Sequence, residues 1–527
     1  MKVVTAQEMR TIDQRTVTEY RMPSLLLMER AGMAVAQTVQ QRYPDQLSRG
    51  VAVFAGKGNN GGDGFAAARN LLRTRVPVTV FLLAPREAVR GDARTNLEMF
   101  AALGGEIVEI TTEADLPSLQ SRLGHYGLFI DALLGTGLNS AVSGIYATVI
   151  TLMNAQPAPT VAIDIPSGLS ADSGKILGPH VWADCTVTLA LPKPGLLLYP
   201  AARAVGELEI ADIGIPLPLL HDPSLRLQLL EAEEIAGLVC KPRDPDTHKG
   251  TYGHVLIVAG SPGKTGAGAL ASLGALYTGA GLVTYALPQG LNLAMESRLL
   301  EVMTFPLPET GAGTIGEAAF SALEPLFSTV DVVVIGPGIS AHPETGRFLE
   351  RVVQEVDLPL VIDADGINHL ARNPALLEAG EAPRILTPHP GEMARLVGLS
   401  TAAVQENRIE VAREFVQKYR GTYLILKGAR TLVAGPDGHV AINPTGNAGM
   451  ATAGTGDVLS GMVGSFIGQG LPPREASQVA VFLHGLAGDL AREEKGERGL
   501  VAGDILHRLP QALQRMHHLP PSRPAIR

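Results

Sequence analysis

The feature that most constrains this chain is a recurring succession: a short, wholly apolar run, a glycine turn, then a helical pattern. VAVFAG passes through GKGNNGGDG into FAAARNLLRTR, and VTVFLLA, YGLFIDALLG, TVAIDIPSG and CTVTLALP follow in the same style. Runs of this length with no polar alternation are strands buried on both faces. Strands of that kind, separated by helices, assemble into a parallel, doubly wound sheet. The fold class expected is therefore α/β. Thr5 and Glu8 stand three apart, a capping box that opens a helix through TIDQRTVTEY, and LLLMERAGMAVAQTVQQ forms a second helix.

The chain has 527 residues, too many for one ordinary core, so two domains are expected. The pattern fades after Gly214, where IPLPLLHDPSL carries three prolines and no clean period. A second β/α series begins near Leu229 and includes HVLIVAGS, LVTYALP, VDVVVIGPG, LPLVIDADGI, RILTPHPGE, TYLILKG and RTLVAG. The boundaries expected are a first domain over 1–218, a linker over 219–228, a second domain over 229–515 and a loose, Pro-rich tail over 516–527.

Composition excludes several classes of function. A net charge of −9 argues against nucleic acid as a partner, because phosphate contacts need clustered Lys and Arg. Cys185 and Cys240 are too few for a disulfide framework or a Cys-based zinc site. MKVVTAQEMR has no apolar signal region, and no apolar run reaches membrane-spanning length, so a cytoplasmic protein without a membrane partner is expected.

Within the first domain, GKGNNGGDG contains the spacing of a dinucleotide fingerprint at Gly56, Gly58 and Gly61. Asp63 opposes that reading, because a carboxylate at the same helix start repels a pyrophosphate. Asn59, Asn60 and Asp63 suit a hydroxyl- or amide-rich ligand better; the plain alternative is a strand-to-helix turn with Asp63 favouring the helix dipole. Asp131 in FIDALLGTGLNS and Asp164 in AIDIPSGLSADSG end two further strands, the latter followed by Ser167. Ligands of doubly wound sheets bind beyond the carboxyl ends of strands. Asn60, Asp63, Asp131, Asp164 and Ser167 can therefore converge on one crevice. An all-oxygen set of this kind suits a hard cation rather than zinc.

Within the second domain, GSPGKTGAGA fails as a P-loop, because Val258 stands where the first glycine is required; Lys264 is not a Walker lysine. His389 lies between prolines, as a ligand or as a structural loop residue. Lys427 ends a strand, where it meets a phosphate or merely extends to solvent. GNAGMATAGTGDVLSG, residues 446–461, has one charge, Asp457, among small residues. Gly454, Thr455 and Gly456 let successive N–H groups converge at a helix start and form an anion hole. Asp457 beside it takes a proton from a substrate hydroxyl; its plain alternative is a helix cap.

These motifs carry a resemblance. GNAGMAT followed by GTGD resembles the signature of the ribokinase-like superfamily, and HKGTYGHVLIVAGS, VVVIGPG and LTPHPGE, in that order, resemble its NAD(P)H-hydrate dehydratase branch. LMERAG, GNNGGDG, DALLGTGL and DIPSGL are similar to NAD(P)H-hydrate epimerase domains of the YjeF type. The two in this order resemble the family of bifunctional nicotinamide nucleotide repair enzymes. Ala453 departs from the pattern, which more often has glycine before GTGD.

The resemblance implies a Rossmann-like N-terminal sheet and a ribokinase-like α/β/α C-terminal domain. It implies a substrate, hydrated NADH or NADPH (NADHX and NADPHX), whose R and S epimers the first domain interconverts. The second domain then dehydrates the S form with ADP or ATP, releasing AMP or ADP and phosphate. Hydrate contacts are implied at Asn59, Asn60, Gly61, Gly62 and Asp63, at Gly135, Thr136, Gly137, Leu138, Asn139, Ser140 and Ala141, and at Asp164. In the second domain they are implied at Ala267, Gly338, His389 and Asp457. Potassium ligands are implied at Asn60, Asp131 and Ser167, and the adenine nucleotide at Lys427, Gly428, Ala429, Arg430, Thr431 and Gly456. Mg2+ is expected with the nucleotide, and a homo-oligomer is expected. Asp457 is the base proposed for phosphorylation. Asp164 is the acid/base proposed for epimerisation, with Asp63 and Asp131 as alternatives. The competing reading is a ribokinase-like small-molecule kinase with a regulatory nucleotide-binding domain; LTPHPGE and the N-terminal partner oppose it. A non-enzymatic binding module is a further rival, opposed by acids at three separate strand ends.

Overall fold

The computed structural model describes residues 1–240 and 242–518, which divide into two compact units, Lys2–Arg226 and one beginning at Leu227. The expected tail beyond 518 lies outside the described residues.

The first unit opens with two helices, α1 (Ala6–Thr18) and α2 (Ser24–Arg42). The capping box forms: the Glu8 amide donates to Thr5 Oγ1 at 3.2 Å, and the Thr5 amide donates to Glu8 Oε2 at 2.7 Å. The sheet contains β1 (Val51–Ala55), β2 (Val78–Leu82), β3 (Glu106–Glu109), β4 (Leu128–Ala132), β5 (Thr160–Ile163), β6 (Cys185–Leu189) and β7 (Glu207–Ala211). Its order is β3-β2-β1-β4-β5-β6-β7 and every pairing is parallel. β1 and β4 are buried along their whole length, which is why they carry no polar alternation. Helix α3 (Asn59–Arg73) leaves β1 through Gly56–Gly58 and packs so close to the sheet that a Cβ on Gly61 would lie 1.9 Å from the Gly56 carbonyl oxygen. Three of the motif's glycines are thus steric requirements of the strand-to-helix corner: Gly56 and Gly64 also face Leu133 O and Ala132 Cβ within 2.2 Å and 2.6 Å of an added Cβ.

The second unit contains β8 (Leu227–Leu229), β9 (His254–Val258), β10 (Leu282–Pro288), β11 (Met303–Leu307), β12 (Val332–Ile335), β13 (Leu360–Ile362), β14 (Arg384–Leu386), β15 (Thr422–Leu426), β16 (Leu432–Ala434) and β17 (Val440–Ile442). Their order is β8-β17-β16-β15-β14-β13-β12-β9-β10-β11. The β15–β16 and β16–β17 pairings are antiparallel, a departure from the uniformly parallel series. The connection explains it: residues 427–431 between β15 and β16 make a hairpin, too short for the crossover that parallel neighbours require. The segment read as linker, 219–228, holds the end of a short helix (Leu217–Leu220) and the first residues of β8; three prolines obscured both.

Helices α4 (Thr265–Tyr277) and α5 (Thr455–Gly468) cross closely, because a Cβ on Gly461 would meet the Ala271 carbonyl oxygen at 1.8 Å and one on Gly274 the Val458 oxygen at 2.5 Å. Of the glycines after Asp457, Gly461 therefore serves helix packing, and Gly464 lets α5 approach the sheet, where an added Cβ would lie 2.5 Å from Val334 Cγ2. Helix α6 (Pro473–Lys495) carries the loop before α5: Gly446 N and Asn447 Nδ2 each donate to Asp489 at 2.9 Å, and Thr445 Oγ1 donates to the Phe482 oxygen at 2.8 Å. Among the described residues no helix is long and apolar enough to cross a membrane.

Candidate active sites

In the first unit, the buried strand end of β4 places Asp131 within the sheet, fully buried. Its Oδ1 accepts from Ser167 Oγ at 2.6 Å and its Oδ2 from the Ser167 amide at 2.7 Å, while the Leu134 amide donates to Ser167 Oγ at 2.9 Å. Gly135 follows, and a Cβ there would lie 3.2 Å from that of Asn60. Asn60, Asp131 and Ser167 thus gather around one short turn. Asn60 Nδ2 is buried with no hydrogen-bond partner among the described residues. Burial pushes the Asp131 carboxyl up to about 6, against the lowering effect of its Ser167 and Leu133 donors. The Asp131 carboxylate and the Ser167 hydroxyl are oxygen donors of the kind a hard cation takes, whereas the orphaned Asn60 Nδ2 is an N–H donor and suits a ligand oxygen instead.

A second cluster adjoins Asp63 on α3. Asp164 sits at φ +65°, an uncommon left-handed conformation for a non-glycine residue. Its Oδ1 accepts from Lys193 Nζ at 2.5 Å, Thr188 Oγ1 at 3.1 Å and the Leu189 amide at 3.2 Å. Oδ2 has no partner among the described residues. Lys193 is fully buried and also donates to the Leu189 oxygen at 3.0 Å. Burial, then the nearby charges of Asp164 and Asp13, raise Asp63 well above the ordinary carboxylate range. Asp13, on α1, is pushed up to about 6, by burial first and by Asp164, with Lys193 opposing. Asp63 is therefore not a solvated residue that complements the helix dipole. Asp13 and Lys193 were not among the residues expected from the sequence: neither lies in a glycine motif.

In the second unit, Asp457 occupies the first turn of α5, whose N-cap is Gly454 at φ +90°; the Asp457 side chain makes no cap hydrogen bond. The cap reading of Asp457 is thereby removed. Gly456 faces a buried ion pair, Lys427 Nζ to Asp363 Oδ1 at 2.8 Å, and a Cβ on Gly456 would stand 3.1 Å from that Nζ. Asp363 is 1% exposed, and its Oδ2 has no hydrogen-bond partner among the described residues. Burial, then the charges of Asp363, Asp365 and Glu392, push Asp457 up to about 7, with Lys427 opposing. Burial by itself lowers Lys427, but Asp363 and Glu392 more than offset this and its value is raised.

The remaining expected residues fall around this centre. A Cβ on Gly338 would lie 3.0 Å from Lys264 Cβ and 3.3 Å from Ala267 Cβ, so the turn after β12 closes on the start of α4. Lys264 pairs with Asp365 at 3.0 Å, a role unlike a Walker lysine. His389 caps helix α7 (Pro390–Val397) by accepting from the Gly391 amide at 3.0 Å, and Glu392 reaches back to the His389 amide at 2.8 Å. Since Nδ1 accepts, the ring is the Nε2–H tautomer, and burial first, then Lys427, lowers its pKa. His389 therefore has the structural role weighed for it. Arg430, at φ +59°, donates to the Pro444 oxygen and ties the 427–431 hairpin to the loop before α5. Ala453 is exposed, so its methyl crowds nothing.

Comparison with known proteins matches residues 255–511 to the family described as NAD(P)H-hydrate dehydratase and residues 24–195 to the YjeF-related protein N-terminus. The chain is 45% identical to the bifunctional NAD(P)H-hydrate repair enzyme Nnr of Moorella thermoacetica, covering 98% of this chain and 97% of that protein. It is 39% identical to the protein of that name from Thermofilum pendens, over 98% and 96% of the two chains, and 36% identical to that of Escherichia coli K12, over 92% and 88%. Among solved structures, the ADP/ATP-dependent NAD(P)H-hydrate dehydratase of Bacillus subtilis, co-crystallised with ATP and Mg2+, is 30% identical, with a TM-score of 0.48, over 55% of this chain and 98% of that one.

Proposed function

The chain belongs to the family of bifunctional NAD(P)H-hydrate repair enzymes, and from that premise we propose how its two sites divide the repair of hydrated NADH and NADPH. The first unit is the epimerase and the second the nucleotide-dependent dehydratase. The observation that carries the second assignment is the half-buried Asp457, pushed up to about 7 beside the α5 N-terminus and the Lys427–Asp363 pair.

The hydrate bears a hydroxyl on the carbon next to the ring nitrogen. Hydroxide is a poor leaving group, whereas phosphate is a good one. Asp457 takes the hydroxyl proton as the oxygen attacks the terminal phosphoryl of ADP or ATP; AMP or ADP departs. The amides at the start of α5 and the Lys427 ammonium face the moving charge. The ring nitrogen then expels phosphate, and loss of a proton from the neighbouring carbon restores the ring double bond. Lys427, Gly428, Ala429, Arg430, Thr431 and Gly456 hold the nucleotide; Ala267, Gly338 and His389 line the hydrate. Asp363 Oδ2, buried and unpartnered, with Glu392 close to Lys427, supplies oxygen donors that fit a Mg2+ ion. When bound, that ion neutralises charge on the phosphates.

In the first unit, Asn59, Asn60, Gly61, Gly62, Asp63 and the loop from Gly135 to Ala141 hold the hydrate. Asp164 gives a proton to the hydroxyl, which leaves as water while the ring nitrogen supplies the electron pair, and takes a proton back as water adds to the opposite face; Lys193 and Thr188 fix its Oδ1 and leave Oδ2 for this transfer. Asp63, whose carboxyl burial raises well above the ordinary range, is the alternative acid/base. Potassium takes Asn60, Asp131 and Ser167. We further propose a cytoplasmic homo-oligomer without a nucleic-acid partner; light scattering of the full chain checks the oligomeric state. The deciding assay mixes the S hydrate of NADH with enzyme and ADP or ATP and follows reduced-nicotinamide absorbance. Restoration is expected; absence with both donors overturns the dehydratase assignment.

A further inference from the structure

The hairpin that carries Lys427 to Thr431 is organised from below by a residue outside every motif above. Arg408 begins a helix, Arg408–Lys418, and is 7% exposed. Its Nη1 donates to the Ala429 oxygen at 2.6 Å, and its Nη2 donates to the oxygens of Leu426 and Lys427 at 3.1 and 3.3 Å. It has no carboxylate partner among the described residues, and its Nε is buried without a hydrogen bond. Burial lowers it to about 10, which leaves it charged at neutral pH. A buried cation without a counterion is costly unless its charge serves something nearby.

The hairpin shows what it serves. A trans peptide sets its C=O and N–H on opposite sides. Drawing the Lys427 and Ala429 oxygens inward to the guanidinium therefore turns the Gly428 and Arg430 N–H groups outward, as in the backbone concavities that bind anions. Arg430 is held at φ +59°, which a non-glycine residue rarely adopts, while Gly428 takes φ +138°, which glycine adopts freely. A Cβ on Gly428 would lie 3.2 Å from Arg408 Nη2, so glycine also makes room for the guanidinium.

We propose that Arg408 is a positioning residue of the dehydratase, which fixes the 427–431 hairpin in its nucleotide-binding form and places a buried positive charge behind the phosphates of ADP or ATP. It touches neither substrate, and the inference rests on the assignment of the nucleotide to this hairpin.

The test uses the full chain: the epimerase rate reports the first unit, and an unchanged KM for the S hydrate reports that the second unit, which holds Arg408, is folded. Arg408→Met and Arg408→Lys are compared with the wild type for KM of ADP and ATP, KM of the S hydrate and kcat. Arg408→Met is expected to raise the nucleotide KM at least tenfold, with the hydrate KM and epimerase rate within twofold. Arg408→Lys, which retains the charge and part of the donor set, is expected to fall between. An unchanged nucleotide KM, or equal losses in nucleotide KM and hydrate KM, overturns the proposal. Should Arg408→Met abolish dehydratase folding, nucleotide titration of the Arg408→Lys chain decides on the same criterion. Thr431→Tyr separates the two assumptions: it blocks the hairpin itself and is expected to raise the nucleotide KM. If Thr431→Tyr has no effect, the nucleotide site lies elsewhere and the proposal falls with it; if it acts and the Arg408 variants do not, only the role of Arg408 falls.

Discussion

At the scale of single residues, function is written in carboxyls whose environments differ. Asp457 must lose its proton before it accepts one from the hydroxyl. With its carboxyl at about 7, dehydratase kcat/KM should rise about tenfold per pH unit up to about 7 and level off above it. Asp457→Asn should lower kcat by about 10²–10⁴ and leave epimerisation intact. A rate that is flat from about pH 6 to about pH 8, each roughly a unit from the expected midpoint, removes Asp457 as the base. Asp131 titrates for a different purpose. Its folded value, about 6, lies above the ordinary 3.8, so the folded chain keeps a proton that the unfolded chain releases. Its contribution to stability is full below 3.8 and is lost as the pH rises through about 6. A cation bound to the carboxylate opposes that loss. Thermal melts at neutral pH should therefore show the first unit stabilised by K+ over Na+ or a bulky organic cation, and Asp131→Asn should erase the difference. Equal melting of the wild type in all three salts counts against the potassium site.

At the scale of elements, each site is a strand end joined to a helix start, and that joint sets what the sequence could reveal. Glycines that face a backbone within 2 Å of an added Cβ, such as Gly61 and Gly461, leave a visible mark because no other residue fits. So do acids that interrupt apolar strands, such as Asp131. The β/α alternation, the two sheets and the glycine corners at the strand ends were legible for these reasons. Lys193, Asp13 and Arg408 were not, since each reaches its site from an element with an ordinary local pattern, and only the fold brings it to Asp164, Asp63 or the 427–431 hairpin. β17 and the mixed pairing were blurred because a three-residue strand carries little periodicity. The joint itself can be tested. Gly61→Ala drives a methyl into the Gly56 carbonyl and should cost the first unit about 1–3 kcal/mol, with loss of epimerase and retention of dehydratase. Denaturant melts of the two activities check it, and a tolerated Gly61→Ala would show that the corner can open.

At the scale of the whole molecule, one chain carries two sites built from separate units, and their order of action follows from stereochemistry. Phosphoryl transfer consumes only the S hydrate and is driven by the nucleotide. Epimerisation is reversible and moves nothing forward alone. The first activity is therefore useful only while the second drains the S form. Given an equal mixture of epimers with ADP or ATP, the wild type should restore reduced-nicotinamide absorbance completely in one phase. Asp164→Asn should restore the S half quickly and the remainder at the uncatalysed rate of epimer exchange. Asp457→Asn should restore nothing while still equilibrating the epimers, as chiral chromatography of the hydrates would show. The two variants mixed in one tube supply both intact sites on different chains. If the S hydrate formed at one site is released to solvent before capture, the mixture should recover full restoration at the wild-type rate once hydrate exceeds its KM. A mixture that restores all the absorbance but lags the wild type several-fold under those conditions would mean that the hydrate passes between sites without release.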